Sequence, residues 1–267
     1  MPKIQLNDAS IHYDVQGDGR ETILFSHGFL WSGRMFDKQV AALKDRYRCI
    51  TYDHRGQGQS AVVNAGYDID SLTDDAVALI DALGCAPCHF AGLSMGGFVG
   101  LRLAARRPDL LKSLILLETS AEPEPKENIG RYRLLGMVGR LFGLAPVASQ
   151  VMPIMFGQKF LTDPAREEER KLWRQRLVDN DRVGVFRSLQ GVIKRAGVVD
   201  ELANIPLPTL IIVGDQDVAT VPGKAEKIHA GIPNSRLVVI PGAGHTSTVE
   251  EPEAVNLAIE SFLNNLS

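Results

Sequence analysis

The chain has 267 residues, of which 45% are hydrophobic and 23% are charged, and its formal net charge at pH 7 is −3. This length suits one large domain, or a core with an inserted cap, in an ordinary globular protein. So weak a negative charge gives no reason to expect binding to nucleic acid or to an anionic membrane.

Targeting signals are also missing from the sequence pattern. The chain contains no run of about 18 apolar residues, the length that predicts a membrane span. Residues 1–10 lack a basic start followed by an apolar run, so we expect no signal peptide. Three cysteines, an odd number in a long chain, fit a reducing compartment. These features together predict a cytoplasmic protein.

The N-terminal part of the chain predicts strands and helices in alternation. Residues 4–6 and 9–15 alternate apolar and polar side chains, which predicts an antiparallel hairpin at a sheet edge. Buried strands and helices then follow in turn: a strand at 22–26, a helix at 36–43, a strand at 49–52, a helix at 71–83, a strand reaching Gly92, a helix to about Arg107 and a strand at 114–117. Ser71, with Asp74 three residues later, is the predicted N-cap of its helix. Unalternating strands separated by helices indicate a mostly parallel sheet covered on both faces.

The pattern changes between residues 122 and 199, where no strand is predicted. Helices are predicted there at 131–144, 147–156, 164–180 and 181–195, and the strand–helix rhythm then resumes with a strand at 209–213, a helix from Pro222, a strand at 236–240 and a helix from Pro252. We therefore predict an α/β core in two parts, residues 1–121 and 200–267, interrupted by a helical cap at 122–199. Apolar cap side chains form either a substrate pocket or the cap's own core: Leu134, Leu135, Met137, Leu141, Phe142, Met152, Met155 and Phe156.

Residues 92–96 have the pattern G-x-S-x-G, between a predicted strand and a predicted helix. A sharp strand-to-helix turn forces Ser94 towards positive φ, and glycines on either side relieve the crowding. The Ser94 hydroxyl then stands clear of the sheet edge as a candidate nucleophile. Because Met95 begins the helix, its backbone N–H is free to donate to an oxyanion.

A base and an acid are available in loops that follow later strands. His245 comes after the last strand, and Asp215 and Asp217 come after the strand before it. Parallel strands direct all these loops to one sheet edge, in the chain order Ser, Asp, His. His245 would take the Ser94 proton, and an aspartate would orient the imidazole and stabilise its cation. The remaining histidines that lack such a context are interpreted as structural: His12, His54, His89 and His229.

Three further motifs carry a family resemblance. His27-Gly28 follows a strand, residues 53–60 match D-x-R-G-x-G-x-S, and Gly214 is followed by Asp217 and then Pro222. With the serine turn and His245, these motifs resemble the α/β-hydrolase superfamily. The similarity is to its capped bacterial branch of serine carboxylesterases, lactonases and cofactor-free haloperoxidase-like enzymes. It covers the core on both sides of the cap and implies an α/β-hydrolase fold.

The resemblance also implies roles for individual residues. The Phe29 N–H would be a second oxyanion donor beside that of Met95, and Asp217 would be the acid in preference to Asp215. Glu118 is a further candidate acid because some relatives keep theirs after that earlier strand. A serine at this turn excludes the family branches whose nucleophile is an aspartate, the haloalkane dehalogenases and epoxide hydrolases.

The expected activity is cleavage of carboxylic esters through an acyl-Ser94 intermediate. The same triad could act on lactones or on the carbon–carbon bond of a β-diketone. An alternative from another class is a ligand-binding signalling receptor that retains the triad.

We expect the binding partner to be a small-molecule ester or lactone substrate. We expect binding to neither nucleic acid nor membrane, and the sequence leaves a homo-oligomer possible. The sequence has no H-E-x-x-H, Walker or G-x-G-x-x-G motif, and its single C-x-x-C, Cys85 to Cys88, has no second pair. We therefore expect no metal and no cofactor.

Overall fold

A central sheet organises the structure, a computed structural model that describes residues 2–266. Its strands are β1 (Lys3–Leu6), β2 (Ala9–Gln16), β3 (Glu21–Ser26), β4 (Tyr47–Tyr52), β5 (Cys88–Leu93), β6 (Leu111–Leu117), β7 (Thr209–Gly214) and β8 (Ser235–Ile240). They lie in the order β1-β2-β4-β3-β5-β6-β7-β8. The β1–β2 and β2–β4 pairs are antiparallel and every other pair is parallel. The predicted parallel sheet and its antiparallel edge hairpin are both confirmed.

Helices connect the strands and cover the sheet. They are α1 (Asp37–Leu43), α2 (Ile69–Ala82), α3 (Met95–Arg106), α4 (Lys126–Phe142), α5 (Ala148–Met155), α6 (Gln158–Thr162), α7 (Glu167–Val178), α8 (Arg182–Lys194), α9 (Pro222–Gly231), α10 (Ser247–Glu250) and α11 (Pro252–Asn264). Within residues 2–266, none of these helices is both long enough and apolar enough to cross a bilayer.

The sheet separates two apolar clusters. Leu24 and Phe25 are neighbours on β3, yet Phe25 is buried with α1 and α11 while Leu24 is buried with α2, α3 and α9. Successive side chains of a strand point to opposite faces, so a strand covered on both sides is apolar throughout. This explains the unalternating strands and confirms the predicted α/β-hydrolase architecture of a mostly parallel sheet between helical layers.

The five helices α4 to α8 are inserted between β6 and β7. They lie within the stretch 122–199 that the sequence predicts as a cap. The two connections to the core run side by side, since the backbone N–H of Val198 donates to the carbonyl of Ala121 over 2.7 Å. The insertion therefore leaves and re-enters the core at a single neck, above the carboxyl ends of the strands.

Three local predictions differ from the structure. Asp68, not Ser71, caps α2, because the Asp68 carboxylate accepts the backbone N–H of Ser71 over 2.9 Å. An aspartate three residues earlier thus starts the helix and places Ser71 in its first turn. The sequence pattern also missed α6 and α10, which at five and four residues are too short to show a helical period.

Candidate active site

Ser94 occupies the sharp turn between β5 and α3 with φ of 52° and ψ of −108°. A Cβ at Gly92 would lie 2.3 Å from the carbonyl oxygen of Gly96, and one at Gly96 would lie 1.9 Å from that of Ser26. No side chain fits at either position, which is why glycines flank the serine. The strained backbone is held by a hydrogen bond of 2.9 Å from the Ser94 N–H to the Leu117 carbonyl on β6.

The structure brings Ser94, His245 and Asp217 together in a buried row. His245 Nε2 lies 2.9 Å from Ser94 Oγ, and His245 Nδ1 lies 2.9 Å from Asp217 Oδ2. The three side chains come from the ends of β5, β7 and β8, which all point to the same edge of the sheet. The anionic carboxylate can only accept, so it assigns the proton to Nδ1 and leaves Nε2 as an acceptor for the serine hydroxyl.

Asp217 is held as an anion by donors on its own loop. Its Oδ1 accepts the backbone N–H groups of Ala219 over 2.8 Å and Thr220 over 2.9 Å, and its Oδ2 accepts the Thr220 hydroxyl over 2.7 Å. Burial alone would raise the pKa of Asp217, but His245 and the bonds from Thr220 hold that pKa below its ordinary value. Thr220 could not be predicted from the sequence, where it carries no signal beyond its proximity to Asp217.

The other two candidate acids have different surroundings. Asp215 accepts the backbone N–H of Gly242 over 2.7 Å, at an exposed position. Glu118 is fully buried with φ of 42°, and neither of its carboxyl oxygens accepts a hydrogen bond from residues 2–266. Burial raises the pKa of Glu118 well above its ordinary value. Among the three, Asp217 is the one whose carboxylate contacts His245.

Two backbone N–H groups are available beside Ser94. Met95 is the first residue of α3 and so has no partner within the helix, and the Phe29 N–H donates no hydrogen bond within residues 2–266. His27 fixes the turn before Phe29, because its Nδ1 donates to the Gly28 carbonyl over 2.7 Å and its Nε2 accepts the His54 N–H over 2.9 Å. Burial lowers the pKa of His27, which keeps this bridging imidazole neutral.

An apolar cavity lies between Ser94, His245 and the cap. Its cap wall is built from Leu135, Leu144, Val147, Val151, Ile154, Met155, Val185, Leu189 and Val192. Of the eight apolar cap residues singled out in the sequence, Leu135 and Met155 line this cavity. Met152 and Phe156 are buried in the apolar cluster that joins the cap to the sheet, and four side chains of α4 are exposed: Leu134, Met137, Leu141 and Phe142. The sequence could not separate these groups because α4 has the cavity on one side and solvent on the other.

One ion pair interrupts the apolar wall. Arg195 Nη1 donates to Glu124 Oε2 over 2.8 Å, and the two side chains are only 2% and 8% exposed. The guanidinium carbon lies 4.1 Å from the centre of the Phe98 ring, and Arg195 Nε has no partner within residues 2–266. Glu124 precedes α4 and Arg195 follows α8, so the pair joins the two ends of the cap. Nothing in the sequence indicated this contact across 71 positions.

Known proteins are similar to this chain in both sequence and fold. The 3-oxoadipate enol-lactonase 2 of Acinetobacter baylyi is 31% identical over 262 residues, which span 97% of this chain and 95% of that protein. The solved structure of a thermophilic esterase from Thermogutta terrifontis has a TM-score of 0.92 at 30% identity, covering 99% of this chain and 98% of that one. The enol-lactonase from Burkholderia xenovorans LB400 has a TM-score of 0.90 at 29% identity, covering 98% and 100%.

The family model described as the alpha/beta hydrolase fold matches residues 21–252, which include Ser94, Asp217 and His245. The fold, the strand order and these relatives agree with one another. The chain therefore belongs to the α/β-hydrolase family and is a hydrolase of that family.

Proposed function

We propose that this protein is a serine hydrolase that cleaves carboxylic esters, lactones included, through an acyl-Ser94 intermediate. The observation that carries the proposal is the continuous row of hydrogen bonds from Asp217 through His245 to Ser94, with both distances 2.9 Å. A buried serine whose hydroxyl contacts an oriented imidazole is an activated nucleophile.

Acylation follows from this geometry. His245 Nε2 takes the Ser94 proton while Oγ attacks the ester carbonyl carbon, and the carbonyl oxygen becomes an oxyanion between the Met95 and Phe29 N–H groups. The ionised Asp217 stabilises the imidazolium that forms. His245 then gives the proton to the leaving alkoxide as the carbon–oxygen bond breaks, which leaves an ester between the acyl group and Ser94.

Deacylation repeats the steps with water as the nucleophile. His245 takes a proton from water, the hydroxide adds to the acyl carbon, and Ser94 leaves with the proton that His245 returns. In a lactone the leaving oxygen stays attached to the acyl chain, so the product is a single hydroxy acid. If the leaving oxygen is that of an enol, the product tautomerises to a ketone.

The lining of the cavity favours substrates with an apolar body. Its cap wall is mostly aliphatic apart from Tyr132 and the Glu124–Arg195 pair, and burial of each methylene of a substrate there stabilises binding by about 0.8 kcal/mol. Enol-lactonases and an esterase among the relatives support the same range of substrates. Esters and lactones are therefore proposed ahead of carbon–carbon cleavage.

The proposal is tested with purified protein, a series of activated esters of increasing acyl length and a series of lactones. We expect turnover that disappears in Ser94→Ala, and one covalent adduct at Ser94 after treatment with an organophosphonate, located by peptide mass. Labelling at Ser94 with very slow turnover of every ester and lactone would favour the receptor alternative. Labelling elsewhere in an active enzyme would contradict the assignment of the nucleophile.

A further inference from the structure

The buried carboxylate of Glu250 at the end of α10 accepts three backbone N–H groups. Its Oε2 accepts those of Gly157 over 2.7 Å and Gly244 over 3.0 Å, and its Oε1 accepts that of Thr246 over 3.0 Å. The residue is 2% exposed, and no basic side chain within residues 2–266 forms an ion pair with it. The partners of this carboxylate are therefore all backbone.

Two of the three donors flank the histidine of the triad. Gly244 and Thr246 are the residues on either side of His245, so Glu250 fixes the backbone before and after the imidazole. His245 must keep Nε2 at 2.9 Å from Ser94 and Nδ1 at 2.9 Å from Asp217. A displacement of about 1 Å in such a constellation can reduce the rate about 100-fold.

The third donor belongs to the cap. Gly157 lies between α5 and α6. A second hydrogen bond joins the same cap segment to the histidine loop, because the Thr246 hydroxyl donates to the Met155 carbonyl over 2.7 Å. The two backbones pack closely, because a Cβ at Gly244 would lie 2.2 Å from the Gly157 nitrogen. Met155 also lines the cavity. The cap segment 155–157 is thus bound directly to the residues that flank His245.

We propose that Glu250 is a positioning residue for His245 and that it fastens cap segment 155–157 to the histidine loop, so that this end of the cap is part of the catalytic framework. This inference rests on the proposed role of His245 as general base. It also gives the cap a role beyond lining the cavity.

An acid at this buried position carries an energetic cost. Burial raises the pKa of Glu250 to about 7 although three N–H groups and His245 oppose the rise. Burying an unpaired carboxylate is costly, and a neutral acceptor would avoid that cost. An anion, in contrast, can hold three N–H groups with its two oxygens and faces the imidazolium that His245 becomes during turnover.

The test compares Glu250→Gln with Glu251→Gln on an ester that the wild-type protein hydrolyses. Glu251 is the matched control because its carboxylate also contacts the cap, through Lys159, and within residues 2–266 it forms no hydrogen bond or ion pair with residues 244–246. Glutamine keeps the size of Glu250 but turns its NH₂ group towards at least one of the three N–H donors. At least one of the three hydrogen bonds is therefore lost. We expect kcat of Glu250→Gln to fall about 10- to 100-fold with KM nearly unchanged, and phosphonate labelling of Ser94 to slow in parallel. We expect Glu251→Gln to behave as the wild-type protein.

Equal kcat values for the two variants would overturn the inference, and so would a rise in KM with kcat unchanged. If Glu250→Gln does not fold, Thr246→Val decides, since it is nearly isosteric and removes the second bond to the cap. We then expect a fall in kcat of about tenfold at constant KM, and an unchanged kcat would overturn the inference. If the wild-type protein neither turns over esters nor is labelled at Ser94, the proposed function itself fails, which is a separate result.

Discussion

Asp215 accepts a hydrogen bond of 2.7 Å from the backbone N–H of Gly242, which ties the loop before His245 to the end of β7. Asp217, two residues later, places its carboxylate 2.9 Å from His245 Nδ1. The two carboxylates therefore act on one loop in different ways. Asp215 holds the backbone of the loop, whereas Asp217 faces its imidazole, so substitutions at the two positions should separate stability from catalysis.

We expect Asp217→Asn to lower kcat for ester hydrolysis by about 10³- to 10⁴-fold while the protein stays folded. The asparagine amide cannot hold the His245 proton on Nδ1, a loss that costs about 10⁴ in serine proteases. Asp215→Asn should keep most of its activity and melt at a somewhat lower temperature. The measurement is kcat of both variants beside their melting curves. An inactive Asp215→Asn, or an active Asp217→Asn, would contradict the assignment.

The residues that line the cavity indicate which cap side chain controls the preference for acyl-chain length. Leu135 lines the cavity, whereas Leu134, its neighbour on α4, is 66% exposed. Leu135→Ala should enlarge the site and shift the ratio of kcat/KM between long and short acyl chains by about tenfold in favour of the long ones. Leu134→Ala is the matched control and should leave that ratio unchanged. The same shift in both variants would mean that α4 acts through its packing and not through the cavity wall.

Much of this architecture could be predicted because it depends on local pattern. The strands are apolar throughout since helices cover both faces, and the Ser94 turn demands glycines that stand out in the sequence. His245 is predictable because parallel strands end at one edge of the sheet. Glu250 carries no such signal, since its hydrogen bond to Gly157 spans 93 positions and depends on how the cap packs against the core. Long-range contacts of this kind are set by packing, which residue pattern does not encode.

Glu118 should prove dispensable for catalysis although it follows β6 and lies near the triad. It is surrounded by Asp217 on the loop after β7, by Glu250 and Ser247 of α10 and by the backbone of Gly214. Burial and the two neighbouring carboxylates raise the pKa of Glu118 well above its ordinary value, which favours the protonated form of its carboxyl. Neither Glu118 oxygen is hydrogen-bonded to Ser94 or His245, and glutamine keeps the size of the side chain, so Glu118→Gln should retain kcat. A loss comparable to that of Asp217→Asn would make Glu118 part of the machinery.

The same substitution should change how stability depends on pH. A carboxyl whose pKa is higher in the folded state than in the unfolded state binds more protons when folded, so its contribution to stability falls as pH rises above 4.5 towards the raised value. Glu118→Gln removes this dependence and should become progressively more stable than the wild-type protein with rising pH. The measurement is the free energy of unfolding in urea between about pH 5 and about pH 9. A constant difference between the two proteins over that range would contradict the raised pKa.

The Arg195–Glu124 pair should fasten the neck of the cap. Both side chains are almost fully buried, so removal of one partner leaves an uncompensated charge in an apolar wall. Arg195→Met and Glu124→Gln should each lower the free energy of unfolding by about 3–5 kcal/mol, whereas the double variant should recover most of that loss. A double-mutant cycle in urea measures this coupling. Single losses under about 1 kcal/mol would show that the pair behaves as a solvated surface pair and that the neck is held by backbone contacts such as Val198 to Ala121.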